Sequence, residues 1–407
     1  MTVMQRTSPW PRTWGVASLA LLAGLGLVWF GGPAHAQEGA DGLGEAEAAQ
    51  LDSALHAAAN VPSGNHPAYL AARDAVLEFG PAAIPQLDAR AAAEQWTREN
   101  WRVACVAAVC RNHLAGEEFV EYVERPSGLD REQYMMFRKP VPMPARDFIR
   151  AGKPGVPHLM ERFVWTFEEY PYSQENGEEE RHALMEALLY VPGRVEDRRA
   201  VAFLTEVATD PNREAHWRGA AARSLGQAGS REAAETLLEL LQDEQLEYAA
   251  RHGVLRGLGH TYTEAALDAL LRELSASLEA TESEEAQQER YGLRLACIQA
   301  LGTLGNWLAW HRRFPDEAER EANLRERAAM PLVRLLATDG RTDYERQEIT
   351  VALSAIAFEG SVEALQRLAA RDGLEEDVRN ALERAARVVP RMVERRAQRL
   401  ARDNADE

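Results

Sequence analysis

Histidine offers the first test of whether this chain could do chemistry. His252 and His260 are eight residues apart, so one helical face could hold both if the helix extends that far. With neighbouring carboxylates they could bind a metal ion, which would make the protein a metal-dependent enzyme. No His-Glu dipeptide and no His-x3-His spacing occurs, which argues against zinc-protease chemistry. We therefore rank this hypothesis below the alternatives that follow.

The three cysteines are predicted to be buried free thiols. Cys105 and Cys297 each precede a recurring apolar position by four residues, where comparable segments carry alanine or valine. Cys110 stands where comparable segments carry glycine, and such small-residue positions are typical of a core. Cys105 and Cys110 would point in different directions from one helix, so we expect no disulfide between them.

Nucleophile and phosphate-binding motifs are missing from the sequence. There is no Gly-x-Ser-x-Gly elbow and no Gly-x4-Gly-Lys-Ser/Thr loop. We therefore predict no catalytic residue, no cofactor and no resident metal ion.

The charge balance of the 407 residues narrows the class of partner. Lysine and arginine number 46 against 64 aspartates and glutamates, a formal net charge of −18. Because phosphate binding needs a basic surface, this balance argues against nucleic acid as the main partner. It favours a protein partner of basic or mixed charge and a salt-sensitive association. A hydrophobic fraction of 46% is normal for a folded chain.

Residues 1–36 are predicted to be a signal peptide. Two arginines precede the apolar run 14–30, and the small residues Ala34 and Ala36 follow it in a cleavage-site pattern. We predict cleavage after Ala36, periplasmic or secreted localisation, and no stable membrane insertion of the mature chain. An uncleaved anchor is the alternative, because the run is at the short end of a membrane span.

A recurring motif occupies the body of the chain. Arg218, Arg251 and Arg294 are each followed seven residues later by leucine and then glycine. A turn and a second stripe of apolar residues at helical spacing come next, with Gly229 and Gly360 marking two of the turns. No segment shows sustained strand alternation, so we predict an all-α fold. The anchor positions of the predicted units are Val76, Val109, Phe148, Leu189, Leu225, Leu258, Leu301 and Ile356.

This motif resembles the HEAT repeat family in its short bacterial form, over about residues 65–390. The resemblance implies a right-handed α-solenoid of about eight stacked antiparallel helix pairs, with the arginine-bearing helices on the concave side. It also implies a structural ladder in which turn aspartates and helix arginines link neighbouring units. The ladder is interrupted where His182 and Ile349 stand in the arginine register. The matching ladder residues are Asp210, Asp243, Arg102, Arg218, Arg251 and Arg294.

The predicted domain organisation places the solenoid at 63–390. A polar linker or helix at 37–62 precedes it. A capping helix at about 375–387 ends the solenoid, and a charged tail at 391–407 follows beyond Pro390. The tail is interpreted as solvated or folded back on the acidic body. Long spacings between anchors predict insertions near 115–147, 166–181, 279–289 and 306–326.

Two of these insertions contain candidate partner-binding residues. Exposed aromatic, methionine and arginine side chains are favoured at interfaces, although the same residues could equally cover or fill the solenoid. The candidates are Tyr134, Met135, Met136 and Phe137 in the first insertion and Trp307, Trp310, Arg312 and Arg313 in the fourth.

Together these features favour an exported, non-enzymatic scaffold or adaptor that binds a protein through the concave face and the insertions. The first alternative is an accessory subunit of an exported enzyme or electron-transfer complex. A metal-dependent enzyme with a central histidine and carboxylate site is the second. The sequence leaves the oligomeric state open.

Overall fold

The computed structural model describes residues 42–120, 144–166, 177–229, 231–279 and 283–406. Seventeen α-helices and no strands lie in these residues, which confirms the predicted all-α class. The first five are α1 (Glu45–Ala59), α2 (His66–Leu77), α3 (Ile84–Arg90), α4 (Trp101–Leu114) and α5 (Pro144–Glu161), and a π-helix, Arg162–Thr166, follows them. The next six are α6 (Gly177–Arg194), α7 (Val201–Thr209), α8 (Ala215–Ala228), α9 (Arg231–Leu241), α10 (Tyr248–Leu258) and α11 (Glu264–Ala276). The last six are α12 (Glu284–Leu304), α13 (Trp307–Arg313), α14 (Ala318–Leu336), α15 (Asp343–Ile356), α16 (Glu359–Ala369) and α17 (Glu376–Asp406).

From α6 onward most helices belong to two rows. The first-helix row consists of α7, α9, α11, α14 and α16, and the second-helix row of α6, α8, α10, α12, α15 and α17. Within each row every helix contacts the next member in chain order, and the two rows also contact each other. This arrangement of stacked helix pairs is an α-solenoid.

Apolar stripes at helical spacing hold the rows together. On α11 the side chains of Leu267, Leu270 and Leu274 are buried, with the three- and four-residue spacing of one helix face. The helix begins where the Thr263 hydroxyl accepts a hydrogen bond from the backbone N–H of Ala266 at 3.2 Å.

The glycine of the Leu-Gly motif allows close helix contact. A Cβ on Gly226 would overlap the backbone of Gly257 on the next second helix. One on Gly302 would lie 2.8 Å from the Cα atom of Ala352 on the following helix. Only a residue without a side chain lets the backbones approach this closely, so the motif sets the spacing of the second-helix row.

The turns differ in one place from the prediction. Gly229 ends α8 in the left-handed region with φ 70°, as a turn glycine should. Gly360, in contrast, lies inside α16, and the left-handed residue before that helix is Ala357 with φ 48°. The buried guanidinium of Arg325 donates to the carbonyls of Ile356 (2.8 Å) and Ala357, which holds this turn without a glycine.

The predicted end of the last helix near residue 387 was wrong. Helix α17 continues through Pro390 to Asp406, and the described part of the expected tail is its second half. The Arg396 guanidinium donates to carboxylate oxygens of Glu359 (2.7 Å) and Glu321 (3.4 Å). The basic half of α17 therefore packs on acidic residues of the solenoid.

The N-terminal helices extend the solenoid core further than predicted. Helix α1 lies within 37–62, where a polar linker or helix was expected, and its Leu51 and Leu55 are fully buried against α2 and α4. Trp165 stacks on Tyr69 with ring centroids 4.7 Å apart. The buried residues of α1–α5 therefore belong to the same continuous apolar core as those of the repeats.

Several predicted segments lie wholly or partly outside the described residues. These are the signal peptide 1–36 and most of the insertions 115–147 and 166–181. Of the insertion 279–289, residues 284–289 form the first turns of α12. Among the described helices, none has the length and apolar character needed to span a membrane.

Candidate functional site

The ladder arginines join three helices at a time. Arg294 donates to the carbonyl of Ser277 at the end of α11 (2.9 Å) and to the Glu345 carboxylate in the first turn of α15 (2.7 Å). Arg218 likewise donates to the Glu247 carboxylate just before α10 at 2.7 Å. Each arginine thus satisfies a carbonyl of its own unit and a carboxylate of the next, which is a structural role.

The turn aspartates have a different role from the expected one. Asp210 and Asp243 each accept a hydrogen bond at 2.9 Å from a backbone N–H two residues later, that of Asn212 or Gln245. The Arg251 guanidinium donates to the backbone carbonyl of Asp243 at 3.3 Å, not to its carboxylate. Both carboxylates therefore stabilise the turn itself, as short acidic side chains commonly do, while residues of later helices supply the ladder carboxylates.

The ladder does not stop at Ile349, because Arg346 continues it. This side chain is buried, with 2% exposed, and donates to the Leu336 carbonyl (2.9 Å) and the Asp377 carboxylate (3.1 Å). The corresponding anchor is Leu353 rather than Ile356. The register assigned from the sequence was three residues late, because both leucine and isoleucine lie on the buried face of α15.

A similar shift applies to the unit with His182. A Cβ on Gly193 would meet the backbone of Ser224, as one on Gly302 would meet Ala352. Counting back eight residues from Gly193 places Met185, not His182, at the ladder position. The His182 ring instead lies 5.4 Å from that of His216 on the neighbouring second helix.

Arg102 lies outside this ladder. It belongs to α4 and donates to the Glu206 carboxylate on α7 at 2.5 Å, with its guanidinium 5.0 Å from the ring of Trp101. It therefore ties the N-terminal helices to the first-helix row.

The second helices share a set of accessible residues on one face, which we call the open face. These residues follow the ladder position by five and nine residues, which places them about one helical turn apart. On α10 the second position, His260, lies just beyond the end of the helix. Arg194, Arg223 and Val351 are exposed, and the others are half-buried. The open face consists of Tyr190, Arg194, Arg223, Gln227, Arg256, His260, Gln299, Thr303, Val351 and Ala355.

Charge is unevenly distributed over the open face. Helices α6, α8 and α10 contribute Arg194, Arg223 and Arg256, whereas α12 and α15 contribute uncharged side chains. Within the described ranges, Arg194 and Arg223 make no hydrogen bond or ion pair. Arg256 donates to Gln299, whose amide donates to the Glu348 carboxylate at 2.6 Å. Two arginines of an acidic protein are therefore left available to an external anion.

Helix α13 adds a fourth arginine at the edge of this region. Arg313 pairs with the Glu196 carboxylate at 2.6 Å, and its guanidinium lies 5.2 Å from the ring centroid of Tyr262. Its neighbour Arg312 is exposed. Of the two predicted partner-binding arginines, Arg313 is thus committed to contacts within the chain.

The electrostatic field at His260 is positive. Burial, followed by the charges of Arg223, Arg256, Arg313 and Arg194, lowers the pKa of this imidazole to about 3. The histidine is therefore neutral at physiological pH and reports a cluster of like charges around it.

The same field bears on the metal hypothesis. The pKa of His252 is lowered by burial and then by Arg256 and Arg223. Arginines beside both imidazoles disfavour a divalent cation between them. In the part of the chain that the structure describes, no three His, Cys, Asp or Glu side chains form a group that could hold a metal ion.

The tryptophans of the fourth insertion fill the core. Trp307 is 7% exposed and Trp310 is fully buried. The Trp310 indole N–H donates to the Leu304 carbonyl at 2.6 Å, and its ring packs edge-on against Tyr262 with centroids 5.6 Å apart. Their role as partner-binding residues is therefore corrected to the space-filling alternative. The other candidates, residues 134–137, lie outside the described residues.

The prediction for the cysteines is confirmed. Cys105, Cys110 and Cys297 are all buried and unpaired with one another. Burial raises the pKa of each thiol. Raised thiol pKa values make them poor nucleophiles.

Comparison with known families agrees with this geometry. Residues 175–249 and 201–288 match the family model for HEAT repeats. This part of the chain consists of HEAT repeats. The matched residues include the ladder arginines Arg218 and Arg251 and the open-face residues Arg223, Arg256 and His260. No curated protein matches the chain.

HEAT repeats generally mediate protein–protein interactions, and scaffolds built from them are typically non-enzymatic. The arginine ladder of the repeats was predicted from the sequence, but the accessible arginines were not. A signal was present, because Arg223 and Arg256 each follow a ladder arginine by five residues. That offset is about one and a half helical turns, which places the two arginines on a different face from the ladder.

Proposed function

We propose that this protein is an exported, non-enzymatic scaffold that holds a partner protein on its open face. The observation that supports this function best is the continuity of that face. Accessible side chains at equivalent positions come from five successive second helices, α6 to α15. Stacked repeats commonly present extended binding surfaces of this kind.

Exposed apolar side chains on the open face and next to it support the same function. Tyr344 and Val351 on α15 are 53% and 56% exposed, and Tyr248 on α10 is 38% exposed. Tyrosine is favoured at interface centres because its ring supplies contact area and its hydroxyl a hydrogen bond. These residues would provide the apolar contacts of the interface.

The charge of the partner follows from the face rather than from the whole chain. The net charge of −18 favours a basic or mixed partner for the surface as a whole. The open face of α6, α8 and α10 is locally positive, so a partner seated there needs acidic groups at that end. A partner of mixed charge satisfies both conditions.

Export is the second element of the proposal, and it rests on the signal-peptide pattern. We expect the mature chain to start at Gln37 and to occur in the periplasm or the medium. N-terminal sequencing of the protein from fractionated cells of its own source would test this. A chain that keeps its first 36 residues and stays in the membrane fraction would contradict cleavage.

Site-specific photo-crosslinking tests the scaffold function. A photoreactive amino acid replaces Val351 on the open face or, as a matched control, Glu239, which is exposed on α9 of the first-helix row. Irradiation in the envelope fraction should give one defined adduct from position 351 and none from position 239. Mass spectrometry then identifies the partner and its stoichiometry.

Equal labelling from both positions, or no adduct from position 351, would overturn the proposal. An adduct with an enzyme in fixed stoichiometry would instead favour the accessory-subunit alternative.

A further inference from the structure

We propose that Arg194, Arg223 and Arg256 form a receptor strip for an acidic polypeptide segment of the partner, each arginine binding one or more carboxylates. This inference rests on the proposed function and names the chemistry of the partner. Nothing in the HEAT-repeat match assigns a ligand to these three residues.

The placement of the arginines fits an extended chain. They lie on α6, α8 and α10, which are consecutive in the second-helix row. Packed helix axes are about 8–10 Å apart, so three helices place their arginines over roughly 20 Å. An extended polypeptide advances about 3.3 Å per residue, so about six residues span the strip. A single small anion is too short to reach all three.

Competition from the chain's own carboxylates is limited. Glu196 is paired with Arg313, and Glu348 accepts from Gln299. The arginines of the strip lie on α6, α8 and α10. Among the side chains that the structure describes on these three helices, Glu186 on the exposed side of α6 is the one acidic residue; those of residues 178–180 are not described. Arg223 is exposed. A carboxylate from outside therefore meets little competition at Arg223 and Arg194.

Helix ends explain why such a cluster is stable without a ligand. Arg194, Arg256 and Arg313 each lie in the last turn of their helices. The negative end of a helix dipole attracts cations, which offsets part of the repulsion among the arginines. The positive field that remains adds to burial in lowering the pKa of His260. A bound carboxylate would weaken that field and raise this pKa.

Peptide binding to the purified full chain tests the inference. The probe is a fluorescein-labelled peptide of about ten residues, with glutamate at alternate positions and serine between, so that its carboxylates follow the strip. The control peptide has lysine in place of glutamate. Fluorescence anisotropy should show binding of the glutamate peptide alone, weakening steeply with added salt.

Matched variants locate the binding. Arg223→Gln with Arg194→Gln should weaken the peptide at least about tenfold, since each loses a charge-assisted hydrogen bond. Neither side chain has a partner among the described residues, so the thermal melt should not change. The control is Arg231→Gln on α9, whose side chain is 92% exposed, and it should leave the affinity unchanged.

Five results would overturn the inference. Equal binding of the lysine peptide would exclude charge selection, and equal loss in Arg231→Gln would place binding elsewhere. If inorganic phosphate competes as well as unlabelled peptide when the two are compared at equal concentrations of phosphate and of peptide carboxylate, the site is a compact anion site. Tighter binding of a short DNA duplex would indicate a nucleic acid ligand. The photo-adduct at position 351 does not depend on these arginines, so its presence without peptide binding would reject the strip and retain the scaffold.

Discussion

The N-terminal helices and the central repeats bury polar groups in opposite ways. In the first, the Glu161 carboxylate lies inside the protein and accepts from the Tyr69 hydroxyl (2.8 Å) and the Arg73 guanidinium (3.1 Å). In the second, charged groups meet at helix ends, where Arg218 and its equivalents pair with the next unit. At the centres of the repeats the contacts are apolar, and glycines such as Gly226 let neighbouring helices approach closely.

This difference shows two ways of joining helices. The central ladder repeats because each unit presents the same carbonyl and carboxylate to the next arginine. The Glu161 network occurs once, directly before the π-helix Arg162–Thr166, whose five residues are all buried. A π-helical turn adds a residue to the helix and changes the direction of the side chains after it. The N-terminal helices α2 and α5 are therefore joined to each other by one specific buried network.

The largest expected effect tests that network. Glu161→Ala removes the carboxylate and leaves the Tyr69 hydroxyl and the Arg73 guanidinium without it. Removing one partner of a buried pair costs about 3–5 kcal/mol in the free energy of unfolding. Urea unfolding followed by circular dichroism measures it. The control is Glu235→Ala, since that exposed carboxylate pairs with Arg231 on α9 and should contribute at most about 0.5 kcal/mol.

A Glu161→Ala protein as stable as the control would mean that the N-terminal helices are joined by their apolar contacts alone. The two regions would then differ in sequence but not in how they are held together.

The next effect tests the glycine contact of the central repeats. Gly226→Val places a branched side chain against the backbone of Gly257, so α8 and α10 must move apart. We expect a loss of about 3 kcal/mol in the free energy of unfolding, typical of overpacking. Gly42→Val is the control, because a Cβ at Gly42 meets nothing within 4 Å. An equal and small effect of both changes would show that glycine does not set the row spacing.

How far the sequence predicts this fold follows from the same contrast. The arginine and Leu-Gly motif at Arg218, Arg251 and Arg294 was sufficient to predict stacked helix pairs, because one contact is repeated along the chain. The network of Glu161 could not be predicted, because its members are Tyr69, Arg73 and a residue about 90 positions later, with no repeated spacing.

The register errors have a similar cause. Both Leu353 and Ile356 are fully buried, so the apolar pattern of α15 fits two registers that differ by three residues. Only the contact of Arg346 with Asp377 distinguishes them. The open face was missed because its residues are defined by exposure, and exposure depends on which face the neighbouring helix covers. Charge composition alone therefore predicted a partner of basic or mixed charge and did not indicate that this face is locally positive.

A smaller effect tests that corrected register. Arg346→Met keeps an unbranched apolar stem but leaves the Asp377 carboxylate and the Leu336 carbonyl without the Arg346 donor. We expect a loss of about 2 kcal/mol in the free energy of unfolding, in the range for hydrogen bonds to charged groups. Arg231→Met, at a largely exposed arginine on α9, should change it by less than about 0.5 kcal/mol. Equal values would remove Arg346 from the ladder.

The smallest expected effect is the pH dependence of the free energy of unfolding that comes from His260 on the open face. The pKa of His260 is about 3 in the folded protein against an ordinary 6.5, so between these values the unfolded chain binds a proton that the folded chain does not. Stability from this residue is therefore fully present above pH 6.5 and is lost as pH falls toward 3. Between pH 7 and pH 5 we expect a loss of about 1–2 kcal/mol, which His260→Gln should abolish. His56→Gln, on the exposed side of α1, should leave the acid sensitivity as it is. If the two variants respond alike in urea unfolding at both pH values, burial and the charges of the neighbouring arginines together do not lower the pKa of His260 in the folded protein.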